Sequence, residues 1–310
     1  MTGSHPTLFR SYLHLHFLVF IWSFTAILGK LISIPSLEIV FYRTLFAFLS
    51  LFLLIKLRGL SLTIDKKNFT AIFGTGSIIA LHWVLFFLSA RVSNISICLA
   101  GLATSSLWTS LIDPVISKRK IKIYEIILGI LAIVGVSVVF DAVIDQYLGF
   151  LIAVASGFLA SIFTVINSRL VKKRDHFVIS FYQMLGAFLF VLLFLPIYGF
   201  VITDNGMELS LNLSDTMYLL ILSLVCTVYA YSTSIKLMHK ISAFAMTLTI
   251  NLEPVYGILL AVIIFEDDER MGTSFYWGTC IILFSVLLYP LLSSYDRKGS
   301  LDALYNEPIK

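Results

Sequence analysis

The residues best suited to chemistry are ionisable side chains inside long apolar stretches of the sequence. Glu253 lies near the middle of the apolar run 242–265 and is followed by Pro254. If this run crosses a bilayer, a charged residue at its centre costs roughly 2.5–3.5 kcal/mol on insertion scales, so Glu253 is expected to face a cavity or a partner. Three roles stay open for it: lining a cavity, carrying a proton, or stabilising the helix break that Pro254 makes.

Two basic residues, Arg43 and Lys30, lie close to the ends of apolar runs. A guanidinium group can bind a carboxylate through two parallel hydrogen bonds, so Arg43 is a candidate to hold a substrate carboxylate or to act in a gate. A salt bridge to Glu38, or extension to the lipid headgroups, would explain Arg43 structurally instead. For Lys30, extension to the surface is the favoured interpretation.

Polar and aromatic groups inside the other apolar runs are candidates to line a pocket. His82, beside Trp83, can titrate near neutral pH, although a buried neutral histidine bonded to a neighbour is the simpler interpretation. The alternative roles are joining helices for the polar groups and ordinary packing for the aromatic ones. The further candidates are Trp22, Trp108, Asn167, Tyr182, Gln183, Tyr229, Asn251 and Tyr256.

No other constellation of residues predicts a catalytic or metal centre. No His, Cys, Asp or Glu cluster has metal-ligand spacing, so no metal and no cofactor is expected. Asp113, followed by Pro114, is expected to be a salt-bridged residue at a helix end rather than a proton relay. The three cysteines, Cys98, Cys226 and Cys280, lie in apolar stretches and are expected to be small core residues.

The elements that must position these residues are membrane-spanning helices. Hydrophobic residues make up 59% of the 310 residues and charged residues 13%, with a mean hydropathy of +0.96. A soluble domain carries about 25% charged residues, so a soluble enzyme is excluded. The chain is expected to be an all-α, polytopic membrane protein.

Ten apolar runs predict spans, since a membrane-spanning helix needs roughly 20 residues. The eighth run is the most polar, with Thr227, Tyr229 and Tyr231–Ser234, and is expected to face protein or a cavity rather than lipid. The predicted spans are residues 13–32, 37–56, 69–90, 95–117, 123–140, 147–169, 177–199, 217–237, 242–265 and 274–292.

The loops between these spans differ in charge from one side to the other. Most of the 22 Lys and Arg residues lie in one set of loops, which includes Lys118–Lys122 and Lys172–Arg174. The opposite loops are neutral or acidic, and one of them contains Glu266–Glu269. Because basic loops stay in the cytoplasm, both termini are expected to be cytoplasmic, which agrees with an even number of spans.

The two halves of the sequence carry related motifs. Residues 38–43 resemble residues 178–183, and Ser105–Trp108 can be set against Glu253–Tyr256, 148 positions later. An alternative register pairs Asp113 with Glu253 and is less favoured because it leaves the following loops and helices unequal in length. Five spans per half is an odd number, so the halves must have opposite orientations. Inverted repeats of this kind are typical of secondary transporters.

Small residues recur at every fourth position on two of the spans and predict close helix packing. They are Gly149, Ala153, Gly157 and Ser161 on the sixth span, and Ser96, Ala100 and Thr104 on the fourth.

Taken together, these features resemble the EamA branch of the drug/metabolite transporter superfamily. The resemblance extends over nearly the whole chain and rests on Trp22-Ser23, Arg43, Asn251-Leu-Glu253-Pro254 and Gly278, in that order. The sequence departs from the family at Ser106, where a proline is usual. The resemblance implies a carrier of small metabolites, often amino acids, that works as an exporter in the bacterial cytoplasmic membrane.

The predicted function is therefore secondary transport by alternating access, with Glu253 as the candidate group if transport is coupled to protons. The predicted repeats are residues 1–143 and 144–296, followed by a cytoplasmic tail, 297–310. A facilitative uniporter or importer is the alternative, and a membrane-embedded enzyme is less favoured because its motifs are missing. The expected partners are a small-molecule substrate and the lipid bilayer, without nucleic acid, for a monomer or weak homodimer.

Overall fold

The computed structural model describes residues 5–139, 147–202, 206–253, 255–257, 260 and 273–305. These residues are predominantly helical, as the composition predicts. The helices, in chain order, are α1 (His5–Leu31), α2 (Ser36–Leu57), α3 (Lys66–Val92), α4 (Ile95–Ala103), α5 (Ser105–Ser117), α6 (Ile123–Val139), α7 (Tyr147–Leu170), α8 (His176–Ile197), α9 (Leu213–Ser223), α10 (Ser232–Leu237), α11 (Ala243–Ile250) and α12 (Thr273–Tyr305).

The helices have the length and the surface of membrane spans. Seven helical stretches among the described residues are long and apolar enough to cross a membrane, and two shorter apolar helices accompany them. Large apolar side chains face outward, including Leu193 (76% exposed) and Leu287 (69% exposed). A surface of this kind requires lipid rather than water. Pro254 and the acidic segment 266–269 lie outside the described residues.

Polar residues in the loops begin several of these helices. The first N–H groups of a helix have no partner within the helix, and a side-chain oxygen at the N-cap accepts a hydrogen bond from one of them. These caps lie at the edges of apolar runs, so they place the helix starts close to the predicted boundaries. The N-cap residues with such a bond are Asp65 at α3, Asn94 at α4, Asp175 at α8, Asn212 at α9 and Ser242 at α11.

The fourth predicted span is interrupted at Thr104, between α4 and α5. Thr104 has φ −63° and ψ −14°, and its Oγ1 donates to the carbonyl oxygen of Gly101 at 2.7 Å. A similar interruption ends α11 at Asn251, which has φ −61° and ψ −7°. The two positions are 147 residues apart. This spacing is within one residue of the offset of 148 in the register that sets Ser105 against Glu253.

The eighth predicted span has a π-helical centre, Leu224–Tyr231, between α9 and α10. Widened turns of this type change the direction in which the following side chains point, and they are frequent at functional sites. The Thr227 hydroxyl donates to the carbonyl oxygen five residues back, at Leu222, at 3.0 Å. Tyr229 is 41% exposed. The prediction that this span faces protein is confirmed for its buried polar residues, which are Thr227, Tyr231, Ser232 and Ser234.

The main helix contacts join the two halves of the chain. Helix α2 packs against α8, α5 packs against α11, and α6 packs against α12. In the predicted alignment of the repeats, each of these pairs joins equivalent spans. Helix α3 packs against both α7 and α8.

Glycine allows α4 and α7 to approach each other backbone to backbone. A Cβ atom added at Gly101 would lie 2.3 Å from the Cβ of Ala153, and one added at Gly157 would lie 3.0 Å from the carbonyl oxygen of Gly101. All four small residues predicted as a stripe on the sixth span are buried. The prediction that this stripe is a packing surface is therefore confirmed.

The cysteines only partly match their prediction as core residues. Cys98 and Cys226 are buried, whereas Cys280 is exposed. Cys280 lies on the apolar outer surface of α12, where an apolar sequence alone does not distinguish a lipid-facing position from a buried one.

Candidate functional site

A cavity of about 90 Å³ lies among the helices of the bundle. A single ordered water needs roughly 10–15 Å³ of such space, so the cavity has room for several waters or for a small ligand that displaces them. Both halves of the chain contribute to its wall. Five of the predicted site residues line it, namely Trp22, Arg43, His82, Trp83 and Glu253.

The other wall residues were not singled out by the sequence analysis as site residues. Most are apolar or small, and their side-chain direction cannot be read from a run that is apolar on all sides. Three of them carried a usable signal: the repeat alignment sets Ser105 against Glu253, and Tyr231 and Ser234 belong to the polar eighth run. These residues are Thr25, Phe86, Leu102, Ser105, Ala160, Phe163, Thr164, Cys226, Tyr231, Ser234, Met238, Met246, Thr247 and Ile250.

Arg43, on α2, is held in the cavity wall by aromatic and polar contacts. Its guanidinium carbon lies 3.8 Å from the centroid of the Trp83 ring, and its Nε donates to the Thr227 hydroxyl at 2.8 Å. The side chain is only 2% exposed. Within the described part of the chain, its Nη1 has no hydrogen-bond partner and no ion pair joins it to Glu38. The guanidinium group therefore keeps donors that a ligand can use.

Glu253 follows the turn at Asn251 and lines the same cavity. Its side chain is buried, with 5% of the residue exposed. Among the described residues, no cation lies within 4.0 Å of its carboxylate. Arg43 and Glu253 do not form a contact ion pair within the described residues. A basic and an acidic group thus line one cavity without a contact ion pair between them.

His82 and Trp22 line the cavity, and each has a ring nitrogen bonded to protein. The Nδ1 atom of His82 lies 2.8 Å from the Ser156 hydroxyl and 3.0 Å from the Ser156 carbonyl oxygen. The Trp22 Nε1 donates to the carbonyl oxygen of Cys226 at 3.0 Å. These bonds fix both rings and leave their apolar surfaces to shape the cavity.

Asn167, Gln183 and Tyr231 form a closed triangle of hydrogen bonds. Asn167 Nδ2 donates to Tyr231 Oη at 2.8 Å, Tyr231 Oη donates to Gln183 Oε1 at 2.8 Å, and Gln183 Nε2 donates to Asn167 Oδ1 at 2.6 Å. Only Tyr231 reaches the cavity wall. The two predicted pocket residues, Asn167 and Gln183, therefore hold Tyr231 in position and do not themselves line the cavity.

The predicted aromatic residues Trp108 and Tyr256 lie outside the cavity wall. Trp108 packs edge-on against Phe158, with the ring centroids 5.4 Å apart, and Tyr256 packs edge-on against Phe20 at 5.9 Å. The alternative interpretation, ordinary aromatic packing, describes both residues.

Two predicted tyrosines lie near the basic end of the bundle instead. Tyr182 donates its hydroxyl to the carbonyl oxygen of Leu62 at 2.8 Å, and the Tyr229 hydroxyl lies 2.9 Å from Nε2 of His14. Neither tyrosine lines the cavity, and Tyr229 lies within the π-helical segment Leu224–Tyr231.

Asn251 joins helices rather than lining the cavity. Its amide forms a hydrogen bond of 2.9 Å with the hydroxyl of Ser106 on α5. The contact links the two interrupted spans close to their breaks. This is the joining role that the sequence analysis left open for polar groups within spans.

The end of the bundle remote from the basic loops is tied by hydrogen bonds between the two halves. The N–H of Ser33 donates to Asp215 Oδ1 at 2.8 Å, and the Ser33 hydroxyl donates to Asp215 Oδ2 at 2.5 Å. Tyr42 donates to the carbonyl oxygen of Leu209 at 2.6 Å. Lys30 lies exposed at this end of α1.

Asp113 lies in a charged cluster at the basic end. Its Oδ2 lies 2.7 Å from the Nε of Arg119, and the same guanidinium group contacts Glu125 at 2.5 Å through Nη2. The Ser117 hydroxyl donates to Asp113 Oδ1 at 2.6 Å. The prediction of a salt-bridged residue at a helix end is confirmed.

The chain has clear relatives at the level of family and fold. The model of the EamA-like transporter family matches residues 10–141 and again residues 147–290. One solved crystal structure superposes with a TM-score of 0.70 at 15% sequence identity, covering 91% of this chain and 96% of the other, which is a likeness of fold alone. No curated protein matches the chain significantly. The two family matches together cover most of the sequence, so the chain belongs to the EamA-like transporter family.

Proposed function

We propose that the protein is a secondary transporter that exports a small metabolite across the bacterial cytoplasmic membrane by alternating access. One observation carries the proposal: Arg43 and Glu253 line one cavity although they lie in different family-model matches. A carrier needs a central site shared by two units that rock against each other. When the two units change their relative position, a site built from both of them can open to one side of the membrane and then to the other.

The proposed architecture has ten spans in two inverted repeats, residues 1–143 and 144–296, with both termini in the cytoplasm. Three observations support it. The family model matches twice, the interruptions at Thr104 and Asn251 have similar backbone angles, and the helix pairs α2/α8, α5/α11 and α6/α12 join equivalent spans.

The proposed substrate is a zwitterion with an apolar body, such as an amino acid. Its carboxylate would accept hydrogen bonds from Arg43, and its ammonium group would lie near Glu253. The apolar body would contact the ring of Phe163 and the side chain of Met246, which belong to the same wall. Ligand sites commonly combine a mostly apolar lining with a few polar groups in fixed positions.

Proton coupling is proposed to act through Glu253. A buried carboxylate without a contacting cation is costly, so it gains either a proton or the substrate ammonium group. Binding of one would then oppose binding of the other. This competition is what couples outward substrate movement to inward proton movement.

The test is counterflow in liposomes that contain the purified protein. Liposomes are loaded with an unlabelled amino acid and diluted into a trace of the labelled one, after a thermal-shift screen at two pH values has identified ligands. Saturable exchange is expected, and non-saturable flux would identify a pore and contradict the proposal. An imposed pH gradient separates a coupled exporter, which responds to it, from a facilitative uniporter, which does not.

A further inference from the structure

A second space opens at the basic end of the bundle, on another face of α10 from the central cavity. Its volume is about 720 Å³, and it lies between α1, α2, α8 and α10. Ser234 lines the central cavity, whereas its neighbour Thr233 lines this second space. We call it the basic crevice and define it by six side chains: His14, Arg58, His176, Lys236, His239 and Lys240.

The crevice has more basic than acidic side chains around it. No carboxylate lines it among the described residues. Asp175 lies next to a lining residue, with its Oδ2 3.5 Å from the Nδ1 of His176. The permanently cationic side chains of this wall are Arg58, Lys236 and Lys240, which line one space together. Like charges held together in a cleft favour the binding of an anion.

The crevice also has an apolar and aromatic wall. The ring centroids of Phe177 and His176 lie 4.1 Å apart. The guanidinium carbon of Arg58 lies 4.6 Å from the centroid of the Phe177 ring. Leu54 and Val228 line the same space. An anion that carries an apolar chain therefore fits the crevice better than a fully hydrated ion does.

We propose that the basic crevice binds the headgroup phosphate of an anionic phospholipid, with an acyl chain lying along Leu54 and Val228. The helices at this end expose apolar residues, and Leu57, next to Arg58, is 77% exposed. Basic pockets between membrane helices at the cytoplasmic side recognise anionic headgroups by this chemistry. The crevice is separate from the central cavity, and the proposal does not depend on the identity of the substrate.

Native mass spectrometry of the purified full chain tests the proposal. The protein is offered equal amounts of phosphatidylglycerol and phosphatidylcholine with the same acyl chains, and bound lipids are counted. The wild type should retain phosphatidylglycerol preferentially. The triple variant Arg58→Gln, Lys236→Gln, Lys240→Gln should lower that preference roughly tenfold or more, because each basic residue near the surface contributes to anionic-lipid binding.

A charge-matched control separates the crevice from general surface charge. The triple variant Lys66→Gln, Lys120→Gln, Lys172→Gln removes the same charge from exposed positions outside the crevice and should keep the preference. Equal loss in both triple variants, or equal retention of the two lipids by the wild type, would overturn the proposal. Displacement of the lipid by millimolar inorganic phosphate would assign the crevice to a soluble anion instead. If the first triple variant does not fold, Lys236→Gln alone should lower the preference in the same direction.

Discussion

The guanidinium carbon of Arg43 lies 3.8 Å from the centroid of the Trp83 ring in the wall of the central cavity. An aromatic face attracts a cation without using its N–H donors. The hydroxyl of Thr227 accepts a hydrogen bond from Nε of Arg43. Within the described residues, Nη1 of Arg43 has no hydrogen-bond partner. The ring thus fixes the position of the charge and leaves hydrogen bonds for an anionic ligand.

The first prediction concerns Arg43→Lys. It should raise the half-saturating concentration of a carboxylate-bearing substrate in counterflow about tenfold to a hundredfold, because an ammonium group cannot form two parallel hydrogen bonds with a carboxylate. The same substitution at Arg174, which lies outside the cavity lining, is the control and should change nothing. Unchanged transport of anionic and neutral substrates by Arg43→Ala would show that Arg43 does not bind the carboxylate.

The second prediction concerns Glu253→Gln. The variant keeps the shape of the side chain but cannot change its charge, so it should still exchange substrate while losing accumulation driven by a pH gradient. The measurement compares counterflow with gradient-driven uptake in the same liposomes. Glu208→Gln, at an exposed position, is the control. Full pH-dependent transport by Glu253→Gln would rule out this residue as the coupling group.

The third prediction concerns helix packing. Gly101→Ala should destabilise the protein by about 1–3 kcal/mol, because its new Cβ would lie 2.3 Å from the Cβ of Ala153. Gly74→Ala is the matched control, since nothing lies within 4 Å of its added Cβ. That variant should be neutral or more stable by up to about 1 kcal/mol, the usual gain from glycine to alanine in a helix. Thermal unfolding in detergent measures both, and equal shifts would contradict the described contact.

The fourth prediction concerns the tie between Ser33 and Asp215. Asp215→Ala removes both hydrogen bonds from Ser33 and should make the cavity more accessible from that end of the bundle. Cys226, in the cavity wall, reports this in a background carrying Cys98→Ala and Cys280→Ala. Its labelling by a membrane-impermeant thiol reagent should become several-fold faster. Ser214→Ala, at an exposed neighbouring position, should not change the rate.

The fifth prediction concerns an ion pair in the loops. Arg174, 2.7 Å from Asp65, and the amide of Asn68 lower the pKa of Asp65 from 3.8 to about 2. The pair therefore adds to the free energy of unfolding at pH values above the ordinary carboxyl pKa of 3.8. This contribution is lost as the pH falls through about 2, the pKa of Asp65 in the folded protein. Arg174→Gln should raise the pKa of Asp65 towards its ordinary value in an NMR titration of the carboxyl carbon. Lys172→Gln should leave that titration unchanged.

The sequence indicates the helices well because hydropathy and loop charge both depend directly on the bilayer. It also indicates which ionisable residues face inward. Arg43 and Glu253 are too costly in lipid to face outward, so their presence within apolar runs already predicts a cavity.

The sequence is less informative about which side chains of each helix point toward the cavity. Asn167 and Gln183 carry the same polar signal as His82, but they bond to each other and to Tyr231 rather than to the cavity. Only the packing of three helices reveals that pairing. The π-helical segment adds a further obstacle, because it changes the angular spacing on which any prediction of the inward face relies.

The glycine contact between α4 and α7 limits which positions on α7 can be substituted to change substrate selectivity. Ala153 and Gly157 on α7 leave no room for larger side chains opposite Gly101, so selectivity cannot be altered there without disrupting the bundle. Phe163, further along the same helix, borders open space instead. Substitutions intended to change selectivity are therefore expected to be tolerated at Phe163 and not at Ala153 or Gly157.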